Sequence, residues 1–385
     1  MSMWNSLSPA HPDPMFSIAA QARAAGPEAI DATIGVYVDE EGDTKLFPSV
    51  RTAMQTILHG YVQSSSTYPP LLGIPEYRHA VTDLIFPDDQ TPVASIATTG
   101  GTGALAINLR LLLLLNPKMQ LCIPSPGWAN YAPLCRMAGI SFQEVPVLEQ
   151  NTMNHHAIME WVKKTPGPCT VLLQAGCTNP TGIDLTETQW KELIPVLQEH
   201  ECAVLLDFAY QGFGDEPEKD AQPAHALRKA GILTLIAWSA SKNHSLYRYR
   251  TGMALTSVPD EETHAIVETN YSMLSRGLWS AAPVFGQHVV IQTQSAQKKE
   301  WLQDIAHVRG VLEQKRSVLR ENLPDSFQSP LNGRGLFAML PLTHDQILDL
   351  RSKHNVFVLD DGRVNIAGIP ERRLKEFCEK VHAVL

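Results

Sequence analysis

Short apolar runs recur between residues 93 and 258, separated by stretches of helical spacing. VASIAT ends at Thr98, LCIP at Pro124, SFQEVPV at Val147, VLLQA at Ala175, AVLLD at Asp207, LTLIAWS at Ser239 and MALTSV at Val258. Helical periodicity fills several of the gaps, near 102–115, 128–138, 154–164 and 186–200. Continuous apolar strands alternating with helices predict an α/β fold: a mostly parallel sheet, seven strands by this reading, sandwiched by helices. Chemistry in such folds gathers in loops at the carboxyl ends of the strands.

After Pro259 the pattern turns helical, over 260–274, 284–297 and 299–322. The tail then reads strand (GLFAML), helix (HDQILDLRSKH), strand (VFVL), strand (RVNIAG) and helix (ERRLKEFCEKVHAVL). This predicts a smaller α+β domain over 310–385 and a large domain over 46–309. The Pro-rich first 45 residues would join the small domain or clasp a partner chain. No internal repeat or low-complexity tract interrupts the pattern.

Composition narrows the class. Of 385 residues, 44% are hydrophobic and 18% charged, which suits a large core and not a disordered chain. With 31 basic and 40 acidic residues the formal net charge is −9, so no nucleic-acid partner is expected. The six cysteines form no CxxC pair. That points to reduced, cytoplasmic usage, with no disulfide framework, zinc ribbon or other metal site. MSMWNSLSPAHPDPMF has no basic stretch followed by an apolar one, so no signal peptide is read. The Leu-rich segment from Ala104 to Leu115 is too short to span a bilayer, and no membrane partner is expected.

Five stretches carry candidate chemistry. In LIAWSASKNHSLYRYRTG, Lys242 follows an apolar strand, where desolvation favours the neutral amine that attacks an aldehyde to form a Schiff base. Ser239, Ser241 and Arg250 around it suit an anion such as phosphate. Taken alone, Lys242 could equally be a surface lysine. In AVLLDFAYQGFG, Asp207 ends a buried strand, where a carboxylate needs a partner. A protonated pyridine nitrogen would be such a partner, and Tyr210 could donate to a ring oxygen. A helix N-cap is the competing reading of Asp207. In GCTNPTG, Asn179 precedes Pro180 and is biased to extended geometry, which can project its amide into a pocket or simply form a turn.

TTGGTGAL opens a helix directly after a strand, and Gly101 and Thr102 would offer free amides to an anion. It lacks the GK[ST] of a Walker loop and is not GxGxxG. Arg363 in DDGRVNIAG and Arg276 in SRGLWSAAP could each clamp a carboxylate or form a structural ion pair. Together the five supply an inventory for one cofactor, pyridoxal phosphate, and an amino acid.

At this point the sequence resembles a known family. SASKNHSLYRYRTG, DFAYQGFG, TNPTG, TGGTGAL, TYPPLLGIPEYR, IGVYVDEEGD and GRVNIAG are similar to the motifs of class I aminotransferases, pyridoxal-phosphate-dependent transferases of fold type I. The aspartate and aromatic-amino-acid subgroup is the nearest, and the likeness runs from AHPDPMF to the final helix. The resemblance implies that Lys242 holds the cofactor and shuttles the substrate proton, and that Asp207 pairs with the ring nitrogen. Tyr210 and Asn179 would bond the ring oxygen, and Trp128 would stack on the ring. Gly101, Thr102, Ser239 and Arg250 would hold the phosphate, with Tyr68 reaching in from a partner subunit. Arg363 would take the substrate α-carboxylate, helped by Asn179, Trp128 and the Gly35 backbone. Arg276, also from the partner, would take a distal carboxylate. A homodimer with shared active sites follows, with amino acids and 2-oxo acids as substrates.

Five positions depart from the family pattern. Ser280-Ala281-Ala282-Pro283 stands where the family usually has Ser-Asn-Pro-Pro. Tyr131 stands where it has a histidine, Gly100 opens the phosphate loop in place of serine, and Gln174 replaces another histidine. The expected reaction moves an amino group from L-aspartate, or an aromatic amino acid, to 2-oxoglutarate by a ping-pong route. A tyrosine/phenylalanine aminotransferase is the alternative. A fold type I lyase or decarboxylase, or a non-catalytic pyridoxal-phosphate sensor, would use the same inventory. A serine hydrolase lacks its GxSxG elbow here.

Overall fold

The computed structural model describes Trp4 and residues 14–64, 67–87 and 91–385. Ala10 to Asp13, at the start of AHPDPMF, lie outside them. The chain divides into two units. One comprises residues 45–313 and 332–335, and the other joins Met1–Thr44, Gln314–Leu331 and Leu336–Leu385.

The first of these carries the seven-stranded sheet, in the order Val93–Thr99, Thr251–Ser257, Thr234–Ser239, Ala203–Phe208, Cys169–Gln174, Gln120–Ser125, Ser141–Pro146. Thr251–Ser257 runs antiparallel to both its neighbours, and the other pairs are parallel. All six residues of Ala203–Phe208 and of Thr234–Ser239 are buried, as continuous apolar runs covered on both faces require. The edge strand Ser141–Pro146 buries only Val145 and carries a glutamine and a glutamate. The register sets Asp207 opposite Gln174 on one side and Ala237 on the other. Adjacent strands of the sheet thereby lead into Asn179, Asp207 and Lys242.

The helices begin where local capping permits. Helix Gly100–Leu115 starts two residues earlier than its periodicity suggests, because the glycines of its first turn fit against the sheet. Asn154 caps His155–Lys164, and Thr186 with Gln189 forms a capping box on Glu187–Glu199. Trp128 lies in the turn ahead of Tyr131–Ala138, not in the helix read over 128–138. Helix Glu261–Leu278 outruns the predicted 274 and takes Arg276 into its last turn. Helices Pro48–Ser64 and Pro75–Ile85 were not legible as periodic segments.

One buried polar side chain ties the helix at the candidate anion seat to the strand that leads to Lys242. Asn108, fully buried, donates from Nδ2 to the Ile236 carbonyl at 3.0 Å and accepts from the Tyr271 hydroxyl at 2.8 Å.

The other unit builds its own core from Ile30, Leu319, Phe327, Leu350, Val364 and Phe377. Strand Ile30–Asp31 pairs in parallel with Val356–Phe357, and Phe337–Met339 pairs antiparallel with Arg363–Asn365. No helix among the described residues is long and apolar enough to cross a membrane.

Replacing Asn108 by alanine strands a buried hydroxyl and a buried carbonyl. The expected loss is about 2–4 kcal/mol of unfolding free energy, read from urea midpoints. A loss under about 0.5 kcal/mol would show that the bonds do not hold the helix on the sheet.

Candidate active site

Lys242 sits in the turn after strand Thr234–Ser239. Ser241 N–H donates to Ser239 Oγ at 3.2 Å, and Ser245 N–H to the Lys242 carbonyl at 2.9 Å. The next two residues are pinned from behind. Trp301 Nε1 donates to the Asn243 carbonyl at 2.7 Å, and His244 lies between Asn243 Oδ1 (2.9 Å) and Gln294 Nε2 (3.1 Å). His244 also stacks on Trp301 at 4.9 Å, and burial pushes it down to about 3, so it stays neutral. With the turn fixed, the Lys242 amine stands 4.9 Å from the centre of the Tyr210 ring. Part of Lys242 faces solvent, but its amine end is enclosed. That enclosure lowers its proton affinity below the ordinary lysine value; Asp207 opposes the shift and Arg250 adds to it.

Asp207 is the penultimate residue of strand Ala203–Phe208 and is buried. No helix starts after it until Pro217, so it is not an N-cap. Its Oδ2 accepts a 2.6 Å hydrogen bond from the Tyr131 hydroxyl. Burial raises its proton affinity above the usual carboxylate range, against the pull of that bond and of Lys242. The following turn is held by Gln211, which bonds the carbonyls of Leu84 and Pro217 and accepts from Trp238 Nε1. Asp220 completes the hold, accepting from the amides of Gly212, Gly214 and Asp215. Tyr210 is thereby presented beside Asn179, whose Nδ2 lies 3.4 Å from its hydroxyl.

Asn179 is fixed through its own backbone. Gln174 Oε1 accepts from Asn179 N–H, and Gln174 Nε2 donates to the Asn179 carbonyl, both at 2.9 Å. Asp184 anchors the turn just before it, accepting from the amides of Cys177 and Thr178 and from the Thr178 hydroxyl. Trp128 meets Tyr131 edge-on, with ring centres 5.4 Å apart at 88°.

The anion seat forms where helix Gly100–Leu115 opens. A Cβ at Gly100, whose φ is +74°, would fall 2.4 Å from Arg250 Nη2. One at Gly101 would fall 3.0 Å from Ser239 Cβ. Only glycines admit this approach of an arginine and a serine to the first helical amides. Arg250 is exposed, with Nη1 3.3 Å from Ser241 Oγ and from the Tyr247 carbonyl. Thr102 lies in the same first turn.

Tyr68 is 99% exposed, and Arg276 is exposed with Nη1 2.5 Å from Ser280 Oγ. In the other unit, the buried Arg363 sets its guanidinium 5.5 Å from the Phe337 ring. A Cβ at Gly35 would lie 2.6 Å from Phe337 Cζ, so the same ring packs against both. Asn365 donates to the carbonyls of Ile34 and Val36 and so fixes the backbone on either side of Gly35.

Sequence reading did not assign Asn365, Phe337 or Asp184 a role, because each acts by shape or backbone pairing. It placed Tyr131 and Gln174 only as departures, without partners. Size does not mark the site either. A cavity of about 770 Å³ between Asp184, Trp190, Asp220 and Arg334 includes neither Lys242 nor Asp207. His155, His156 and Glu192 bring three donor atoms within 4.8 Å, but His155 is already paired with Glu192 at 2.7 Å.

The model of a family described as aminotransferase class I and II matches residues 27–381. An aromatic-amino-acid aminotransferase of Paracoccus denitrificans is 30% identical over 384 residues, covering 97% of each chain. An aspartate aminotransferase of Escherichia coli (strain K12) is 30% identical over the full length of both chains. Among solved structures, an aromatic-amino-acid aminotransferase from Burkholderia pseudomallei, covalently bound to pyridoxal phosphate, superposes with a TM-score of 0.96 at 28% identity and complete coverage of both chains. With its seven-stranded sheet and the group around Lys242 and Asp207, the chain belongs to the class I and II aminotransferase family.

Proposed function

We propose that the protein is a pyridoxal-phosphate-dependent aminotransferase that moves an amino group from L-aspartate or an aromatic L-amino acid to 2-oxoglutarate. The observation that carries this reading is the Lys242 amine, 4.9 Å from the Tyr210 ring centre, in the turn after a strand that pairs in parallel with the one burying the Asp207 carboxylate. The residues fit the cofactor. A cradle that any Cβ would fill, lined by Gly100, Gly101, Ser239 and Arg250, suits its phosphate. The tyrosine-held carboxylate suits its ring nitrogen, and the paired Asn179 and Tyr210 suit its ring oxygen.

When bound, the cofactor supplies an aldehyde carbon that captures an amine and a ring that draws electrons from the substrate Cα. The chain's own groups do the rest. Asp207 holds a proton on the ring nitrogen, and Trp128 covers a ring face and excludes water. Gly101, Thr102, Ser239 and Arg250 fix the phosphate end. The neutral Nζ of Lys242 takes the Cα proton, a role suited to an amine whose proton affinity is lowered by burial. In the smaller unit, Arg363 with the nearby Gly35 peptide would take the α-carboxylate. In a homodimer, Tyr68 and Arg276 of each copy complete the other's site, which accounts for two functional side chains left exposed on one chain. Six free, buried cysteines suit a reducing cytoplasm.

The direct test mixes holoprotein with single amino acids. Aspartate, glutamate, tyrosine or phenylalanine should each bleach the bound cofactor's visible absorbance and yield one oxo acid per site. No response to any of them would end the assignment. Arg276→Ala should lower kcat/KM for aspartate roughly a hundredfold and that for phenylalanine by less than about threefold. Equal losses would show that Arg276 does not read the side chain.

The Lys242 shift gives a pH prediction. The neutral amine is the reactive form, and its proton affinity lies below the ordinary lysine value of about 10.4. The rate of cofactor uptake by the apoprotein should therefore rise with pH and level off below 10.4. A rise continuing to that value would mean an unperturbed amine.

A further inference from the structure

We propose that Tyr131 is a positioning residue: its hydroxyl holds the Asp207 carboxylate ionised and oriented with a donor that carries no charge. The inference rests on the reading of Asp207 given above.

The geometry is specific. Tyr131 opens helix Tyr131–Ala138, its backbone N–H bonded to the Trp128 carbonyl at 3.0 Å, and its ring is buried edge-on to Trp128. From there its hydroxyl reaches Asp207 Oδ2 at 2.6 Å, the length of a charge-assisted O–H···O⁻ bond. Among the described residues it is the one side-chain donor to Asp207 found within hydrogen-bonding distance.

The groups packed around Asp207 make the character of this donor consequential. From the neighbouring strand Cys169–Gln174 comes Gln174, which cannot ionise and has its amide engaged with Asn179. On the other side, strand Thr234–Ser239 presents Ala237. The loop after Asp207 contributes the Tyr210 phenol. The turn beyond Ser239 contributes the Lys242 amine, with Arg250 acting on it and His244 neutral. Burial, then the Asp207 charge, pushes the Tyr131 phenol well above its ordinary value, so it keeps its proton throughout the working range.

A hydrogen bond to the ionised form favours ionisation. A histidine in this place would add a positive charge at low pH and lose it near neutrality. Tyr131 does neither. It stabilises the carboxylate equally across that range and leaves its charge to the cofactor's ring nitrogen. The ring proton is therefore held without a pH step from the supporting side chains.

The test reads protonation rather than turnover. Holoproteins carrying pyridoxal phosphate labelled with nitrogen-15 in the ring are titrated by NMR for the wild type, Tyr131→Phe and Tyr131→His. In parallel, the Asp207 carboxyl carbon is titrated in the apoproteins. The wild-type ring nitrogen should stay protonated and flat between pH 6 and 9. Tyr131→Phe should lower its apparent pKa by about one to two units, a roughly ten- to hundredfold loss of proton affinity, and raise that of apo Asp207. Tyr131→His should restore the proton but introduce a step near the histidine value of about 6.5.

Unchanged titrations of both nuclei in Tyr131→Phe would overturn the inference and leave the tyrosine as filling. If Tyr131→Phe fails to retain the cofactor, the apoprotein titration decides alone. An unprotonated wild-type ring nitrogen, with Asp207 still responding to the Phe change, would instead overturn the assignment of Asp207 to the cofactor.

Discussion

An amine and a carboxylate withdrawn from water at the ends of adjacent parallel strands set the terms for the rest of the large unit. Each such burial costs several kcal/mol unless partners are supplied. Here Lys242 lies three residues beyond the end of one strand and Asp207 is the penultimate residue of the other, so the sheet holds the two groups in one place. Asp207 receives one strong hydrogen bond, from Tyr131. Lys242 receives an aromatic ring and a distant carboxylate, and gives up proton affinity. In the proposed function, a charged cofactor would supply what both still lack. The polar ties that brace this corner, from Asn108, Gln211, Gln174 and Asn243, keep the pair from relaxing apart.

The sheet itself was readable from the chain because its strands are buried on both faces and so appear as unbroken apolar runs, AVLLD and LTLIAWS above all. A lysine, an aspartate and an asparagine directly after such runs were legible for the same reason: they interrupt a pattern that has no other use for them. The glycines at 100 and 101 were legible as an anion seat at a helix start, but not as the gap that admits Arg250 and Ser239. That gap depends on strand Thr251–Ser257 lying beside Val93–Thr99, a pairing between segments over 150 residues apart.

What stayed hidden was made by contacts without a local pattern. The reach of Tyr131 to Asp207 spans 76 residues of sequence, and the Asn365 bond to the Ile34 carbonyl spans 331. The end of helix Glu261–Leu278 was read four residues short, because Ser275 and Gly277 look like a stop, whereas the chain leaves the helix only before the Ser280 turn at φ +68°. The smaller unit draws on three stretches of chain, and its members share periodicity with their neighbours in sequence rather than with one another.

The central claim is that the amine at position 242 is the one that captures the cofactor, opposite Asp207. Treating holoprotein with borohydride, digesting it and mapping the peptide that retains the cofactor mass tests this most directly. The account predicts that the mass remains on the peptide containing Lys242, and on no other lysine. Cofactor fixed at a different lysine, or none fixed to the chain at all, would contradict it.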